Sequence, residues 1–243
     1  MATAAEVLLP LRPGLVPVPA VGQPGVCRYC HSACEPDYGQ CYPCLEAVRS
    51  VGAVDILPIS MSVEGGLLHR HLRGYKDDRS PAVRNRMSVR LAALTAVFLE
   101  HHRECVGAFD SVVLVPSAAR TAVESIVQRV RALRDEYRPA LRVSALGSKH
   151  ELRADRFTVT RDINGERVLI VDDTFTSGAT LFSAVAALRD AGAAIAGPVV
   201  LGRHLHPSWE PSRAMLSWLR SRPWVEERCC RCDGERANPG QLL

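Results

Sequence analysis

Apolar residues return at the spacing of one helix face in three segments of the chain. Residues 81–102 show the longest repeat and predict a long amphipathic helix. Residues 123–133 repeat the spacing and predict a second helix, which ends before Pro139. A third helix is predicted around residues 181–188, and Gly192 is placed to end it, because glycine readily adopts the conformation of a helix C-cap.

Short apolar runs, each followed by a loop, predict buried strands between these helices. The runs cover residues 111–115, 168–171 and 194–201. Strand–loop–helix units in series, with almost uninterrupted apolar strands, are typical of an α/β fold with a parallel sheet flanked by helices. In such sheets ligands bind outside the carboxyl ends of the strands. The loops after the first two runs are therefore candidate binding segments.

The composition adds few constraints. The chain has 243 residues, 47% hydrophobic and 23% charged, as expected for a soluble globular protein of one domain with small appendages, or two domains at most. Its net charge of +4 is compatible with an anionic ligand but does not require one. Aromatic residues make up 5%, which is little for a surface that stacks on single-stranded nucleic acid.

The N-terminal segment, residues 1–26, lacks the features of a signal peptide. It has no basic start, and prolines interrupt its apolar residues. No stretch approaches the roughly 20 apolar residues that span a bilayer. We therefore expect a flexible, loosely packed arm on a cytoplasmic protein. In a reducing compartment, clustered cysteines are more often metal ligands than disulfides.

Two cysteine pairs follow the arm. Cys27 and Cys30 form one Cys-x-x-Cys turn, and Cys41 and Cys44 form another. Two such turns can supply the four thiolates of a tetrahedral Zn²⁺ site, whereas a redox dithiol would explain only one pair. A segment this short cannot bury a core of its own, so a structural zinc would supply its folding energy. The sequence thus predicts a small zinc ribbon over residues 27–50.

The end of the chain carries a weaker signal of the same kind. It contains Cys229, Cys230 and Cys232. A second metal site at Cys229 and Cys232 would need a further ligand, for which Cys34, His31 and His206 are candidates. We expect Cys105 to be a core residue at a helix end. Surface or core positions without catalytic roles are expected for His69, His71, His101, His102 and His204.

Hydroxyl and carboxylate side chains crowd the loop after residue 171. Asp172 and Asp173 are followed by Thr174, Thr176, Ser177, Gly178 and Thr180. Gly178 allows a tight turn, and the N–H groups of the helix that follows favour a phosphate. Two adjacent carboxylates would repel that phosphate, so they must face sugar hydroxyls or a magnesium ion. One alternative is that Ser177 or Thr176 merely caps the helix.

Two other motifs share parts of this pattern and do not fit. A Walker A loop needs a Gly-Lys-Ser/Thr ending, and this segment has no lysine. Receiver domains of response regulators carry paired aspartates near their start, whereas Asp173 lies late in this chain.

Residues 168–180 resemble the signature of type I phosphoribosyltransferases. The resemblance implies that the ligand is phosphoribosyl pyrophosphate, bound with Mg²⁺. Asp172 and Asp173 would hold its ribose hydroxyls and act as the catalytic residues. The complete set of residues implied for ligand binding is Asp172, Asp173, Thr174, Thr176, Ser177, Gly178, Ala179 and Thr180.

Two further segments match this resemblance. The loop after residue 115 has the position of the pyrophosphate loop, and implies that Ser117, Ala118 and Arg120 bind the leaving group. Residues 148–153 are polar and aperiodic, which fits either a closing lid that carries Lys149 or a plain surface loop.

A zinc ribbon ahead of such a domain resembles the ComF family of competence-associated proteins, over residues 27–205. Residues 71–78 resemble that family's helix with a lysine before the long helix. The resemblance implies a phosphoribosyltransferase-like domain over residues 51–208 and an extension over 209–243. Residues 121–125 depart from the family's Arg-Gly-Phe-Asn-Gln-like stretch.

Two functions follow from this resemblance. The first is an enzyme that transfers ribose phosphate to an unidentified nucleophile, working as a homodimer. The second is a non-catalytic accessory or DNA-uptake protein, whose ribbon contacts a protein or single-stranded DNA. The lysine and arginine of the two loops favour the enzyme, and the altered stretch at residues 121–125 favours the accessory.

Overall fold

A computed structural model describes residues 2–116, 122–144 and 151–232. The strands within these residues are β1 (Leu57–Val63), β2 (Ser111–Leu114), β3 (Leu141–Val143), β4 (Phe157–Val159), β5 (Arg167–Phe175) and β6 (Ala194–Leu205). The α-helices are α1 (Ala4–Leu8), α2 (Tyr42–Val51), α3 (Leu67–Asp77), α4 (Pro81–Val106), α5 (Ala122–Val127), α6 (Arg131–Arg134), α7 (Ala179–Asp190) and α8 (Glu210–Leu219). Short 3-10 turns cover Arg12–Gly14 and Ala154–Arg156.

The predicted α/β fold with a parallel sheet is confirmed. Four strands form one parallel sheet in the order β1-β6-β5-β2, and β3 and β4 form a small antiparallel pair. Successive residues of β5 contribute to different cores, as the period of a strand requires. Leu169 and Val171 pack in the core that contains the buried face of α4, while Val168 and Ile170 pack in the core that contains α7.

Two of the observed helices differ from the predicted ones in where they end or break. The predicted helix at 81–102 is α4, which runs about one turn further to Val106 and loses helical geometry at His102. The single helix predicted over 123–133 is instead two short helices, α5 and α6, because Val130 between them is extended. Ile126, Val127, Val130 and Leu133 are nevertheless buried, so the periodicity identified most of the buried face but not the break.

Strand β1 was not specified by the apolar pattern. It contains Pro58, which cannot donate to a strand ladder, and two serines that interrupt its apolar residues. Both Ser60 and Ser62 are fully buried. The strand occupies an edge of the sheet, where a proline is tolerated.

The N-terminal arm is more closely packed than its composition suggests. Thr3 and Glu6 form a capping box that starts α1. Leu8 and Leu11 have no exposed area and pack in the same core as α4. Pro10, Pro13 and Pro24 lie in turns, and Pro17 and Pro19 lie in a stretch without regular structure, so none of them interrupts a helix or strand. No helix among the described residues has the length and apolar character needed to cross a bilayer.

Candidate functional site

The candidate site lies where β5 ends and α7 begins. Asp172 and Asp173 are still within β5, which stays paired with β6 as far as Phe175. The sequence pattern had placed them where the strand leaves the sheet. Asp173 is buried at 3% exposure, Asp172 is half-buried, and the Asp173 N–H donates to Asp172 Oδ1 over 2.9 Å. The two carboxylates are therefore held by the sheet rather than by a mobile turn.

Helix α3 supplies two partners for Asp173. The hydroxyl of Tyr75 donates to Asp173 Oδ2, and Nζ of Lys76 forms an ion pair with the same oxygen. Burial, followed by the charge of Asp173, raises the pKa of Tyr75 well above its usual range, so its hydroxyl stays protonated and donates. Sequence reasoning noted the lysine segment but missed Tyr75. The alternation of apolar and basic residues on α3 carries no signal for such a contact.

Asp172 has no cation of its own among the residues described in its surroundings. Burial, and then the neighbouring Asp173 carboxylate, raises the pKa of Asp172 to about 8, while Lys76 acts in the opposite direction. An isolated carboxyl group with this pKa binds a proton near neutral pH. A hydroxyl donor or a cation placed against Asp172 would stabilise its ionised form.

The turn between β5 and α7 requires a glycine. Gly178 has φ +83°, and a Cβ there would lie 2.3 Å from the Phe175 ring and 2.7 Å from Phe182. No side chain caps the start of α7, so the alternative that Ser177 or Thr176 merely caps this helix is wrong. The N–H groups of its first turn remain available to an anion.

A buried arginine lies behind this turn. Nη1 of Arg156 donates to Oγ1 of Thr180 over 3.0 Å, and the residue is 6% exposed. The 3-10 turn Ala154–Arg156 positions it, and the backbone N–H of Arg153 donates to Ser183 Oγ on the next turn of α7. The guanidinium places a positive charge beside the start of the helix, where it would favour phosphate. No sequence pattern indicated Arg156, because an arginine in an irregular segment is usually exposed.

The four ribbon cysteines form one cluster, which we call the ribbon cluster: Cys27, Cys30, Cys41 and Cys44. Their sulfur atoms all lie within 4.8 Å of one another, and Cys30 and Cys41 are 3.7 Å apart. A tetrahedral zinc with bonds of about 2.3 Å puts its sulfur ligands about 3.8 Å apart. Hydrogen bonds from the other thiols, first from Cys30, lower the pKa of Cys27, whereas the hydrogen bonds to Cys27 raise the pKa values of Cys41 and Cys44. The residues fit a zinc ion.

Arg203 connects the ribbon cluster to the candidate site. Its Nη2 donates to Sγ of Cys30 over 3.6 Å, and its Nη1 donates to the carbonyl oxygen of Phe175 over 3.0 Å. The guanidinium also lies 4.9 Å from the centre of the Phe175 ring. Phe175 is the last residue of β5, so Arg203 fixes the backbone immediately before the turn at Gly178. Sequence reasoning did not identify this residue.

Four of the predicted site residues belong to the loop after β2 and to the predicted lid. Ser117, Ala118, Arg120 and Lys149 lie outside the described residues. The strand that leads to the first three, β2, is parallel to β5 and its neighbour, so both end at the same edge of the sheet.

The C-terminal cysteines have other neighbours than those proposed from the sequence. Cys229 and Cys232 group with His102 and Cys105. His31 instead contacts the Pro19 carbonyl at 2.8 Å, and His206 pairs with Glu64 at 3.0 Å. Cys34 belongs to neither metal-binding group. Cys105 lies at the end of α4 against the core and His102 is buried, as expected, and both also lie close to the two C-terminal cysteines.

The phosphoribosyl transferase domain family matches residues 94–219, which is more than half of the chain. The chain belongs to this family. The match begins within α4 and ends with α8, so the ribbon cluster and the last described residues lie beyond it. No curated protein sequence matches the chain.

Two solved structures are similar over part of the chain. Leishmania donovani UMP synthase is 23% identical, covers 56% of this chain and has a TM-score of 0.33. The chain spans only 27% of that protein. A phosphoribosyltransferase from Corynebacterium diphtheriae is also 23% identical, with 60% of this chain and 77% of that chain covered and a TM-score of 0.30.

Proposed function

We propose that the chain binds phosphoribosyl pyrophosphate with Mg²⁺ and transfers its ribose phosphate to a nucleophile of unidentified class, releasing pyrophosphate. The observation that carries this proposal is the sequence of features at the end of β5. Two adjacent carboxylates, Asp172 and Asp173, lead directly into a glycine turn and an uncapped helix start. A phosphate at the start of α7 would accept hydrogen bonds from the free N–H groups of the helix, and sugar hydroxyls would donate to the two carboxylates.

The proposal assigns a role to each predicted site residue. Asp172 and Asp173 accept hydrogen bonds from the ribose hydroxyls. The 5′-phosphate is held by Thr174, Thr176, Ser177, Gly178, Ala179 and Thr180, with Arg156 adding charge behind them. The pyrophosphate group is assigned to Ser117, Ala118 and Arg120, and the lid to Lys149. When bound with the ligand, Mg²⁺ would supply positive charge to the pyrophosphate group.

Catalysis at such a site depends on position and electrostatics. Positive charge develops on the ribose ring as the bond to pyrophosphate breaks, and a nearby carboxylate stabilises that charge. Lys76 and Tyr75 already hold Asp173 in place, so its carboxylate needs little reorganisation when the ligand binds. The hydroxyl of the ligand would extend this network to Asp172.

We further propose that the chain is a ComF-like protein with a structural zinc ribbon over residues 27–50. The ribbon cluster fits one zinc ion, and Arg203 couples it to the site. Its role in this proposal is to hold the end of β5, while the phosphoribosyltransferase-like domain over residues 51–208 binds the ligand.

The test is calorimetric titration of the zinc-loaded protein with phosphoribosyl pyrophosphate and Mg²⁺, using ribose 5-phosphate as the weaker comparison ligand. The double variant Asp172→Asn/Asp173→Asn should lose binding. Asp190→Asn, an exposed aspartate at the other end of α7, is the matched control and should bind normally. Binding that is unchanged in the double variant would remove the site assignment.

A non-catalytic accessory role has one specific observation in its favour. Ser125 of α5 donates to the Ala122 carbonyl at 2.7 Å and to Ser88 at 3.2 Å, so its hydroxyl serves packing on α4. Ser125, which belongs to the stretch that departs from the ComF pattern, thus has a structural role where α5 contacts α4. Saturable binding without pyrophosphate release, across a panel of amine, purine and pyrimidine acceptors, would favour this role over transfer.

A further inference from the structure

Four metal-binding side chains meet where the C-terminal segment crosses the end of α4. We call His102, Cys105, Cys229 and Cys232 the C-terminal cluster. Their ligand atoms all lie within 4.8 Å of one another. Sγ of Cys232 is 3.5 Å from Sγ of Cys229 and 3.7 Å from Nδ1 of His102.

These distances suit a single zinc ion. With bonds of about 2.3 Å to sulfur and about 2.0 Å to nitrogen, tetrahedral geometry separates the ligand atoms by about 3.5–3.8 Å. Both halves of the cluster also have the two-residue spacing of zinc-binding turns, His102-x-x-Cys105 and Cys229-x-x-Cys232. Three thiolates and an imidazole are soft ligands that favour zinc over magnesium or calcium.

The backbone and the histidine ring provide independent support. His102 departs from helical geometry inside α4, with φ −127° and ψ 26°, which distinguishes it from an ordinary helical residue. Its ring is buried at 2% exposure. Nδ1 faces the sulfur of Cys232.

The neighbouring contacts show what such a site would hold together. Nη1 of Arg231, between the two cysteines, donates to the Cys105 carbonyl at 2.5 Å, and its Nη2 donates to the Asp55 carbonyl at 3.4 Å. Earlier in the segment, the indole N–H of Trp224 donates to the Ile59 carbonyl at 3.1 Å. The segment is therefore anchored on β1 and on the residues before it, and the cluster lies at its last described turn.

We propose that the C-terminal cluster is a second structural Zn²⁺ site, which fastens the C-terminal segment to the end of α4. All four coordination positions are filled by protein side chains, which is the arrangement of a structural rather than a catalytic zinc. Each of the three thiols gives up a proton to solvent when the metal binds. The site is separate from the ribbon cluster and from the ligand-binding turn.

The first test is the zinc content of the purified full chain, measured by mass spectrometry of the metal. The wild type should carry two zinc ions, one in each cluster. His102→Ala and Cys229→Ser should each carry one. Cys230→Ala is the matched control, because this buried cysteine is next to Cys229 but outside the cluster, and it should keep two. One zinc in the wild type, or two in both ligand variants, would overturn the proposal.

The second test needs no variant and so does not depend on how the variants fold. Cys105 and Cys232 are half-buried and line an open cleft with Phe109, where an alkylating reagent can reach them. Zinc should protect both thiols, and a chelator should accelerate their alkylation in the reduced wild-type protein. Equal alkylation rates with and without chelator would overturn the proposal. A native mass showing a disulfide between Cys229 and Cys232 would overturn it as well.

Discussion

The ribbon cluster is linked to the residue before the Gly178 turn, whereas the C-terminal cluster lies where the C-terminal segment crosses the end of α4. Arg203 links the ribbon cluster to the last residue of β5. Arg231 links the C-terminal cluster to the carbonyl of Asp55, before β1 begins. Both clusters reach the start of β1, because the Ile56 N–H donates to the carbonyl of Tyr29, between Cys27 and Cys30. Only the ribbon cluster has the recorded link through Arg203 to the end of β5, so we expect it to affect ligand binding more.

The two clusters also differ in the parts of the chain that a bound metal would hold together. The ribbon cluster draws its ligands from one short stretch that has little core of its own, so the metal would determine whether that stretch folds at all. The C-terminal cluster joins segments that are far apart in the sequence and already packed against apolar residues, since Trp224 and Cys230 are buried in the main core. Metal there adds to existing structure. Both clusters offer mostly cysteine thiols as ligands, so the structure around each cluster determines how much stability its metal would add.

The largest expected effect comes from breaking the ribbon cluster. Cys30→Ser removes a metal ligand and the sulfur that accepts from Arg203. Zinc contributes on the order of 10–16 kcal/mol to small zinc modules, which is as large as the roughly 5–15 kcal/mol of net stability of a whole domain. We expect loss of phosphoribosyl pyrophosphate binding and a broad or early thermal transition, measured by titration and circular dichroism.

The matching change in the C-terminal cluster should be milder. Cys232→Ser should lower the melting temperature yet leave the dissociation constant for phosphoribosyl pyrophosphate within about twofold, because a factor of two corresponds to only about 0.4 kcal/mol. If a folded Cys232→Ser protein no longer bound the ligand, the functional separation of the two clusters would be wrong.

The next effect in size concerns Arg203, which couples the ribbon cluster to the site. Arg203→Ala leaves the carbonyls of Phe175 and His204 and the sulfur of Cys30 without their donor. Lost hydrogen bonds of a buried charged group cost about 3 kcal/mol of unfolding free energy in total, and we expect about tenfold weaker ligand binding from the loosened turn. Urea unfolding and calorimetry measure the two effects.

Arg203→Lys is the control for charge. It keeps one cation but not the planar fork that reaches three acceptors, so its stability and affinity should fall between those of the wild type and Arg203→Ala. A stability loss in Arg203→Ala with unchanged ligand affinity would mean that the ribbon cluster and the site are not coupled.

The pair of carboxylates at the end of β5 predicts that the free energy of unfolding depends on pH. The pKa of Asp172 is raised to about 8, against about 3.9 in an unfolded chain. The folded state therefore binds the proton more tightly, and stability from this group is complete below about pH 4 and is lost as the pH rises towards 8. Asp172→Asn removes this loss, so its advantage in unfolding free energy should grow with pH.

That advantage should reach about 1–2 kcal/mol at pH 8 after allowance for screening at a half-buried group, with a slope no steeper than about 1.4 kcal/mol per pH unit. Urea unfolding between pH 6 and 9 measures it while the zinc thiolates stay ionised. Asp190→Asn, the exposed control, should follow the wild type. Parallel curves for Asp172→Asn and the wild type would show that Asp172 titrates normally.

The sequence predicted the parts of the molecule whose chemistry is local. Residues 168–171 are apolar because both faces of β5 are covered, and the turn at Gly178 follows within the same short segment. The paired Cys-x-x-Cys turns are likewise local. These signals lie within a few residues of one another, so periodicity and spacing were sufficient to locate the elements and the ribbon cluster.

The contacts that join distant segments could not be predicted in the same way. Tyr75 and Lys76 reach Asp173 from α3, and Arg203 reaches Cys30 across most of the chain. His102 ends a helical repeat, where a histidine usually has no special role. Its partnership with the C-terminal cysteines depends on how the last segment crosses α4, and no local pattern encodes that crossing.

The smallest expected effect comes from an ion pair of the C-terminal segment, whose variants replace no proposed metal ligand. Arg12 of the N-terminal arm binds both carboxylate oxygens of Glu226, at 2.5 and 2.6 Å, and Glu226 has 19% side-chain exposure. Glu226→Gln keeps the size of the side chain and one acceptor but removes the charge. We expect a loss of about 0.5–1 kcal/mol in unfolding free energy by urea titration, in the range of partly exposed ion pairs.

Arg12→Gln should cost a similar amount, and the double variant should cost less than the sum of the two, because the residues act on each other. Ligand affinity and zinc content should not change in any of the three, since the pair contacts neither the ribbon cluster nor the phosphate-binding turn. A fall in ligand affinity with Glu226→Gln would show that the C-terminal segment communicates with the site, and the two clusters would then have to be treated as one coupled system.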